Sequence, residues 1–372
     1  MITSPNGVEV KISPWLSNGF KLVSIRLYEE LGGNIASGTA SFEIFYTEDA
    51  QTLIYKQYTG TIEVTKLGNN GNKLSIDFFI TKRKLVKNRL TIEFLCVNDN
   101  KFFTELISLE HTDITETLKT LYPNPEKINI RASSDIGNDI PLIQFNETNY
   151  SFCKKLAYSF KKDTIFAFGW EGFMLKDRCG EKNSADVTEI VTDSIDGSTG
   201  VFIVVGGSGV EPMDPYTMNY DNLLFEKVVD PWAEDENEKY KEIMPLNSNT
   251  LKYYNNYITI GTSHASLVKN YLYNDYMMTN NMQVSLRIES SVMPNYKLGD
   301  IVIYCHVKDQ TTPYRAYIVK TNELYYSPDN TNDTGKSEFF WVSTLVSLFD
   351  PNGNKYPWET DPTLELENGK LK

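Results

Sequence analysis

One local unit, from Ile143 to Leu175, constrains the fold of this chain most, because it predicts a helix that leads directly into a β-hairpin. Apolar residues recur there at the three- and four-residue steps of an amphipathic helix. They are Tyr150, Cys153, Leu156, Ala157 and Phe160. Thr148 precedes them, where its hydroxyl can accept a hydrogen bond from a free backbone N–H group. The aromatic run Thr164–Trp170 then predicts a strand, and Glu171-Gly172 predicts the turn of a hairpin.

The first 110 residues predict antiparallel β-structure. Thr61–Thr65, Ile76–Ile80 and Leu90–Phe94 each show the apolar alternation of a half-buried strand. The segment Gly68–Asn72 between the first two contains only Gly and Asn, which tolerate the positive φ angles of hairpin loops. Strands and polar turns at this spacing indicate a small antiparallel barrel or a sandwich.

A second group of strands follows a predicted helix at 264–279. Apolar alternation predicts strands at Met282–Ile288, Ile301–Cys305, Ala316–Val319 and Phe339–Phe349. Leu298, Gly299 and Asp300 stand just before the second of these strands. A glycine at this point relaxes the turn that begins the strand.

These two segments, in this order, resemble the central module and the closing strands of a known family, the trimeric baseplate hub proteins of contractile-tailed phages. The family is related to the hub part of VgrG spikes in type VI secretion and to phage late control protein D. The residues that carry the likeness are Tyr150, Leu156, Phe160, Trp170, Leu298, Gly299 and Asp300. The segment Thr321-Asn322-Glu323 departs from the pattern, because the family has a histidine-bearing segment there.

The resemblance implies a multidomain, β-rich α+β fold with two small antiparallel β-barrels of the tube type and inserted α+β segments. The first barrel is then expected at 1–110, and an α+β domain with the helix–hairpin at 111–182. The second barrel is discontinuous, over 183–225 and 281–350. Residues 226–280 form an inserted segment with a helix, and residues 351–372 form a C-terminal tail.

The resemblance also implies a structural role and no enzymatic one. Three chains with two barrels each would form a pseudo-six-fold ring that joins a six-fold tail tube to a three-fold central spike. The expected partners are two further copies of the chain in a homotrimer, the spike, the tail tube protein, other baseplate proteins and the tape measure protein. No catalytic residue, cofactor or metal ligand is expected. The expected location is the tail baseplate of a virion whose proteins are made in a bacterial host cytoplasm.

Charge and hydropathy narrow the partners further. The formal net charge of −13 repels the phosphates of nucleic acid, so we expect no stable nucleic-acid binding. The first residues carry no secretory signal, and the longest aliphatic and aromatic run, Val201–Val205, is too short to span a bilayer. We therefore expect no membrane insertion. The four cysteines and three histidines are scattered, a spacing that does not favour a zinc site.

Two alternative functions belong to other classes. A hydrolase attached to a tail needs a cleft with perturbed carboxylates. Its candidate acids are Asp186, Glu189, Asp193 and Asp196, although their spacing fixes no pair at a working separation. A receptor- or glycan-binding virion protein would instead use exposed aromatic rings, such as those of Trp15, Trp170, Trp232, Trp341 and Trp358. Packing between strands is the simpler role for Trp170 and Trp341.

Overall fold

A computed structural model describes most of the chain up to residue 178 and separate elements beyond it. The described residues are 8–16, 19–45, 47–66, 73–132, 134, 141–161, 164–178, 187–191, 202–204, 224–229, 240–246, 267, 270–271, 274, 278, 284–290, 293–294, 296–305, 315–328, 338–347, 366–367 and 370–371. Several predicted features lie outside them: Gly68–Asn72, Asp186, Asp193, Asp196, Trp232 and Trp358.

The described residues form twenty-two strands, four continuous α-helices and one 3-10 turn, and further helical residues lie at 267, 270, 271 and 274. The strands are β1 (Val8–Ser13), β2 (Phe20–Glu30), β3 (Gly32–Ile35), β4 (Ser37–Ile44), β5 (Thr59–Lys66), β6 (Lys73–Val86), β7 (Arg89–Leu95), β8 (Leu106–His111), β9 (Ile128–Ile130), β10 (Leu142–Thr148), β11 (Thr164–Gly169), β12 (Gly172–Asp177), β13 (Val187–Val191), β14 (Phe202–Val204), β15 (Leu224–Val229), β16 (Tyr240–Leu246), β17 (Val284–Ser290), β18 (Ile301–Cys305), β19 (Arg315–Ser327), β20 (Glu338–Ser347), β21 (Leu366–Glu367) and β22 (Lys370–Leu371). The helices are α1 (Glu48–Lys56), α2 (Lys101–Thr104), α3 (Ile114–Leu121) and α4 (Asn149–Ser159), and the 3-10 turn is Pro125–Lys127.

Twelve strands form one sheet that is built from both ends of the chain. Its main path runs β1-β5-β6-β7-β4-β2-β19-β20-β17-β14, and β18 lies between β19 and β13. Strand β19 joins the two halves, because Thr321–Tyr326 pair antiparallel with Glu30–Ile25 of β2 while its first residues pair with β18. The predicted β-rich α+β fold is confirmed. Closure of each half into a barrel stays a prediction.

The N-terminal half shows the predicted alternation of buried and outward side chains. The strands predicted at 61–65, 76–80 and 90–94 are confirmed as parts of β5, β6 and β7, whose alternate residues are buried. Their inward side chains pack with Trp15 and Phe42 into one core cluster. Helix α1 interrupts this β-structure and was not predicted. Its local signal is Thr47, whose hydroxyl accepts a hydrogen bond from the Ala50 amide at 3.1 Å.

The predicted helix–hairpin unit is confirmed as α4, β11 and β12. Thr148 caps the helix, since its hydroxyl accepts from the Ser151 amide at 3.1 Å. The helix ends at Ser159. All six residues of β11 are buried. Helix α4 and other members of the same core cluster cover one face of this strand. The turn before β18 contacts the opposite face. Strand β11 lies between β3, its parallel neighbour, and β12, its antiparallel neighbour.

The helix predicted at 264–279 is confirmed at the described positions 267, 270, 271 and 274. Asn274 lies against the C-terminal end of α4 and the start of β11. Its side-chain amide donates to the carbonyl oxygens of Tyr158, at 2.8 Å, and Lys161, at 2.6 Å. Its carbonyl oxygen accepts from the Thr164 amide at 3.3 Å. One buried side chain thus satisfies backbone groups that the helix end leaves open. The same inserted segment contains β16, which was not predicted.

The cap of α4 provides a test of this local structure. Thr148→Ala removes the hydroxyl that accepts from the Ser151 amide, so we expect the free energy of unfolding to fall by about 1 kcal/mol. Thr148→Ser keeps the hydroxyl and is the matched control, with a smaller loss. Urea denaturation of both variants measures the difference. Equal losses for Ala and Ser would show that the hydroxyl does not cap the helix.

Candidate functional site

The two segments that carry the family resemblance contact each other in the fold. Gly299 lies in the turn before β18 with a φ of +77°. A Cβ atom at this position would lie 2.9 Å from Met174 Cε and 3.2 Å from Ile165 Cδ1, both on the β11–β12 hairpin. The positive φ favours glycine here, and a side chain would in addition displace the flexible ends of these hairpin residues.

Hydrogen bonds and an ion pair hold this turn against the hairpin. The Asp300 carboxylate accepts from the Lys297 amide at 2.8 Å and pairs with the Lys176 ammonium at 3.2 Å. The Gly299 amide donates to the Val319 carbonyl at 2.9 Å, which ties the turn to β19. Lys176 and Asp300 are largely buried, so their attraction is screened less by salt than that of an exposed pair.

A cleft of about 390 Å³ opens where the hairpin tip, the turn before β18, β9, the end of β2 and parts of β19 and β20 meet. Trp170, Leu298 and Asp300 line it. Glu29 and Asn322 also line it, although both are buried. The cleft therefore lies at the junction between the two halves of the large sheet.

The carboxyl group of Glu29 connects three segments at this junction. Its Oε2 accepts a hydrogen bond from the Trp170 amide at 2.9 Å, and its Oε1 accepts from Asn322 Nδ2 at 2.8 Å. Glu29 thereby links β2 to the hairpin tip and to β19. Gly169 permits this approach, because a Cβ atom there would lie 2.9 Å from Glu29 Oε2.

The hydrogen-bond network continues from Asn322 into β20. The Ser343 hydroxyl donates to Asn322 Oδ1 at 2.7 Å and accepts from Tyr296 OH and from Trp341 Nε1, each at 3.0 Å. All four of these side chains are buried. Because every bond lies in a low-dielectric interior, the loss of one member leaves its partner unsatisfied at a cost of about 1–3 kcal/mol.

Burial raises the pKa of Glu29 to about 7, from an ordinary value of 4.5. The hydrogen bonds from Asn322 and Trp170 oppose this rise, because they favour the charged form. Among nearby charges, Glu171 raises the pKa and Lys297 lowers it. Burial wins because only 6% of the residue is exposed, and water cannot solvate the carboxylate there.

The structure divides the predicted site residues into two groups. Trp170, Leu298, Gly299 and Asp300 come together at the cleft and its bounding turn. The other three lie on the α4 side, where Leu156 and Phe160 are core residues and Tyr150 is partly buried against that core. The Tyr150 hydroxyl donates to the Gly33 carbonyl, and its ring lies edge-on to Phe168 at 5.3 Å between centroids.

The buried polar residues of the network were not predicted. For Glu29 a sequence signal existed, because Ile25, Leu27, Glu29 and Leu31 occupy alternate positions from β2 onward and all four are buried. A charged residue at an inward position of an apolar alternation indicates a buried carboxyl that needs partners. Asn322 lies in the segment that departs from the family pattern, and the structure places it at the junction.

The geometry at Glu29 fits a structural junction better than a catalytic centre. Both carboxyl oxygens already accept hydrogen bonds from protein groups, which leaves little capacity to act on a substrate. Within the described residues, no group of three His, Cys, Asp or Glu side chains could hold a metal ion. Three of the tryptophans weighed as sugar-binding residues, Trp15, Trp170 and Trp341, are buried. Trp170 and Trp341 pack edge to face at 5.4 Å between centroids.

Comparisons with known proteins place this fold among tail and secretion proteins. No protein-family model matches the chain, and no curated protein does. Its fold matches that of the E. coli c3393 protein, a component of the type VI secretion system with structural similarity to the T4 bacteriophage tail proteins gp27 and gp5. The TM-score is 0.50 and the identity 8%, over 94% of this chain and 80% of that chain. The predicted resemblance to hub proteins is thus confirmed for the fold.

Two other solved structures show a weaker likeness. The 43 kDa tail protein of prophage MuSo2 from Shewanella oneidensis has a TM-score of 0.49 and 10% identity, over 91% of this chain and 98% of that chain. The tail protein from Neisseria meningitidis MC58 has the same TM-score and identity, over 91% of this chain and 96% of that chain.

No described helix of the present chain has the length and hydropathy of a membrane span.

The buried carboxyl makes a prediction about pH. Because the folded pKa of Glu29 lies above the unfolded value, its contribution to stability is fully present below pH 4.5. It is lost progressively as the pH rises to about 7. We expect the stability of the wild type relative to Glu29→Gln to fall by about 3 kcal/mol over this window. Urea denaturation at several pH values measures it, and Glu93→Gln on the exposed face of β7 is the control. Parallel curves for wild type and Glu29→Gln would contradict the buried titration.

The turn before β18 makes a second prediction. Gly299→Val forces a β-branched residue to a φ of +77° and pushes its Cβ into the hairpin, so we expect a loss of about 1–3 kcal/mol in stability. Gly299→Asn is the matched variant, because Asn tolerates this conformation better and should lose less. Thermal unfolding distinguishes the two. An unchanged melting temperature for the Val variant would refute the described turn.

Proposed function

We propose that this chain is a structural hub of a phage tail or a related injection apparatus, where three copies join a six-fold tail tube to a three-fold central spike. The observation that carries the proposal is the twelve-stranded sheet to which both ends of the chain contribute, in a fold shared with the c3393 protein. Each chain then offers two strand-rich halves. Three chains offer six, which matches a six-fold partner on one side and three-fold symmetry on the other.

The junction supports this role, because a ring that joins two symmetries has to keep the two halves of each chain in a fixed orientation. Two features do so in the described residues. The backbone pairing of β2 with β19 joins the halves directly. The network around Glu29 then locks this pairing to the hairpin tip and to β20 through buried hydrogen bonds. A rigid junction is what a structural adaptor requires.

In this proposal the two halves close as tube-type barrels, the first within 1–110 and the second from 183–225 and 281–350. The α+β domain at 111–182 supports them through its hairpin. The proposed partners are the spike, the tail tube protein, other baseplate proteins and the tape measure protein, and the proposed location is the tail baseplate of the virion. Tyr150, Leu156, Phe160, Trp170, Leu298, Gly299 and Asp300 act as structural residues in it.

The oligomeric state tests the proposal. We expect light scattering of the purified chain, alone and with its spike, to give about three chain masses, because the adaptor requires three-fold symmetry. Negative-stain images of the same sample should show a three-fold ring with a central hole. A monomer under both conditions would contradict the hub.

A further inference from the structure

A concentrated basic surface lies at the tip of the β6–β7 hairpin. Residues 81–89 contain no acidic residue and five basic ones: Lys82, Arg83, Lys84, Lys87 and Arg89. The chain as a whole has a net charge of −13, so this tip differs sharply from the rest. Leu85 and Val86 are also exposed there, Val86 to 53%. We call residues 81–89 the basic tip.

The tip extends past the end of β5, although its Arg83 is held by the carbonyl groups of Tyr55 and Gln57. Strand β5 pairs with β6 only as far as Phe79, opposite Thr59, while β7 follows β6 to Val86. Lys82 pairs with Glu93 at 3.0 Å. Lys84 and Arg89 are exposed and form no ion pair with another described residue. The tip therefore presents positive charge and apolar surface together.

A second surface has the opposite charge. Strands β8 and β10 pair only with each other among the described strands, and neither contains a lysine or an arginine. Their outer face exposes Leu106, Ile143 and Phe145, the last to 71%. Glu105 and Glu110 are exposed beside them. We call this surface, residues 105–111 with 142–146, the acidic ribbon.

These two surfaces hold most of the exposed apolar bulk of the described residues. Among the described residues, ten large apolar side chains are exposed. Six of these ten lie on the basic tip or the acidic ribbon. Exposed apolar groups that cluster within charged surroundings mark protein interfaces. Two such surfaces with opposite charge on one chain are complementary to each other.

The two surfaces lie beyond opposite ends of β7. Arg89 begins this strand at the basic tip and Leu95 ends it, and seven residues of strand span about 20 Å. The chain then passes through α2 directly into β8. The tip and the ribbon of one molecule are therefore separated.

We propose that the basic tip of one copy docks on the acidic ribbon of the next copy and that this contact closes the ring of the homotrimer. The inference rests on the proposed function, which requires a trimer. A contact between two different surfaces of the same chain is heterologous, and repeated around an axis it closes into a ring. Leu85 and Val86 are buried against Leu106 and Phe145, and the surrounding charges fix orientation and exclude tip-to-tip contacts.

A polyanion such as DNA is the competing occupant of the basic tip. The exposed apolar residues of the tip and the existence of a complementary acidic ribbon favour a protein surface. The net charge of −13 also opposes the approach of a phosphate backbone.

Charge reversal on the full-length chain tests the proposal by analytical ultracentrifugation. Lys84→Glu with Arg89→Glu, or Glu105→Lys with Glu110→Lys, should each weaken the trimer at least tenfold, because like charges then face each other. Combining all four substitutions in one chain restores complementarity and should return the dissociation constant close to that of the wild type. Lys11→Glu with Lys73→Glu lies outside both surfaces, changes the net charge by the same amount as the tip reversal, and should leave the trimer intact.

Carbodiimide cross-linking gives a second measurement that does not depend on variants. It should join lysines of residues 82–87 to Glu105 or Glu110 in the trimer, and not in monomer isolated at high salt. A wild-type monomer would overturn both this contact and the proposed homotrimer. A wild-type trimer that survives either double reversal would overturn the contact alone. Tip variants that remain trimeric but lose retardation of DNA would assign the tip to a polyanion instead.

Discussion

The pairing of β2 with β19 is the constraint on which the rest of the structure depends, because it joins strands that are almost three hundred residues apart. A contact of such sequence separation carries a large loop-closure entropy and needs strong local interactions to hold it. The buried bond between Glu29 and Asn322 provides one of these near one end of the pairing. Most of the described chain contributes to this sheet or packs against it, so this one register decides where the cleft and both halves lie.

The use of a carboxyl at this place has a cost and a benefit. Burial raises the pKa of Glu29 to about 7, so the charged form is disfavoured in the folded protein. The same group accepts bonds from two segments at once, which an apolar side chain could not do. A polar group that is satisfied only in one register penalises other registers of the β2–β19 pair, since a shift by one residue would leave it unpartnered.

Much of the local structure could be predicted from the sequence, because the elements carry their own periodicity. The α4 stripe, the β11–β12 hairpin and the strands β5, β6 and β7 follow from spacing alone. The turn at Gly299 could be predicted because Leu298, Gly299 and Asp300 stand directly before an apolar strand. The partners of these elements could not be found in this way. That Gly299 packs on Met174 and that Glu29 meets Asn322 are facts of tertiary contact, and periodicity carries no information about which strands become neighbours.

Charge is the property for which whole-chain averages were least informative. A net charge of −13 predicts repulsion between copies as well as repulsion of nucleic acid, yet the proposed ring requires copies to attract. The local distribution bears on this conflict, because residues 81–89 contain no acidic residue, whereas β8 and β10 contain no lysine or arginine. The basic tip lies at a hairpin turn and the acidic ribbon follows α2, so the sign of the local field depends on which surface a partner meets. An acidic chain can therefore assemble with itself in one orientation while the remaining surface repels other polyanions.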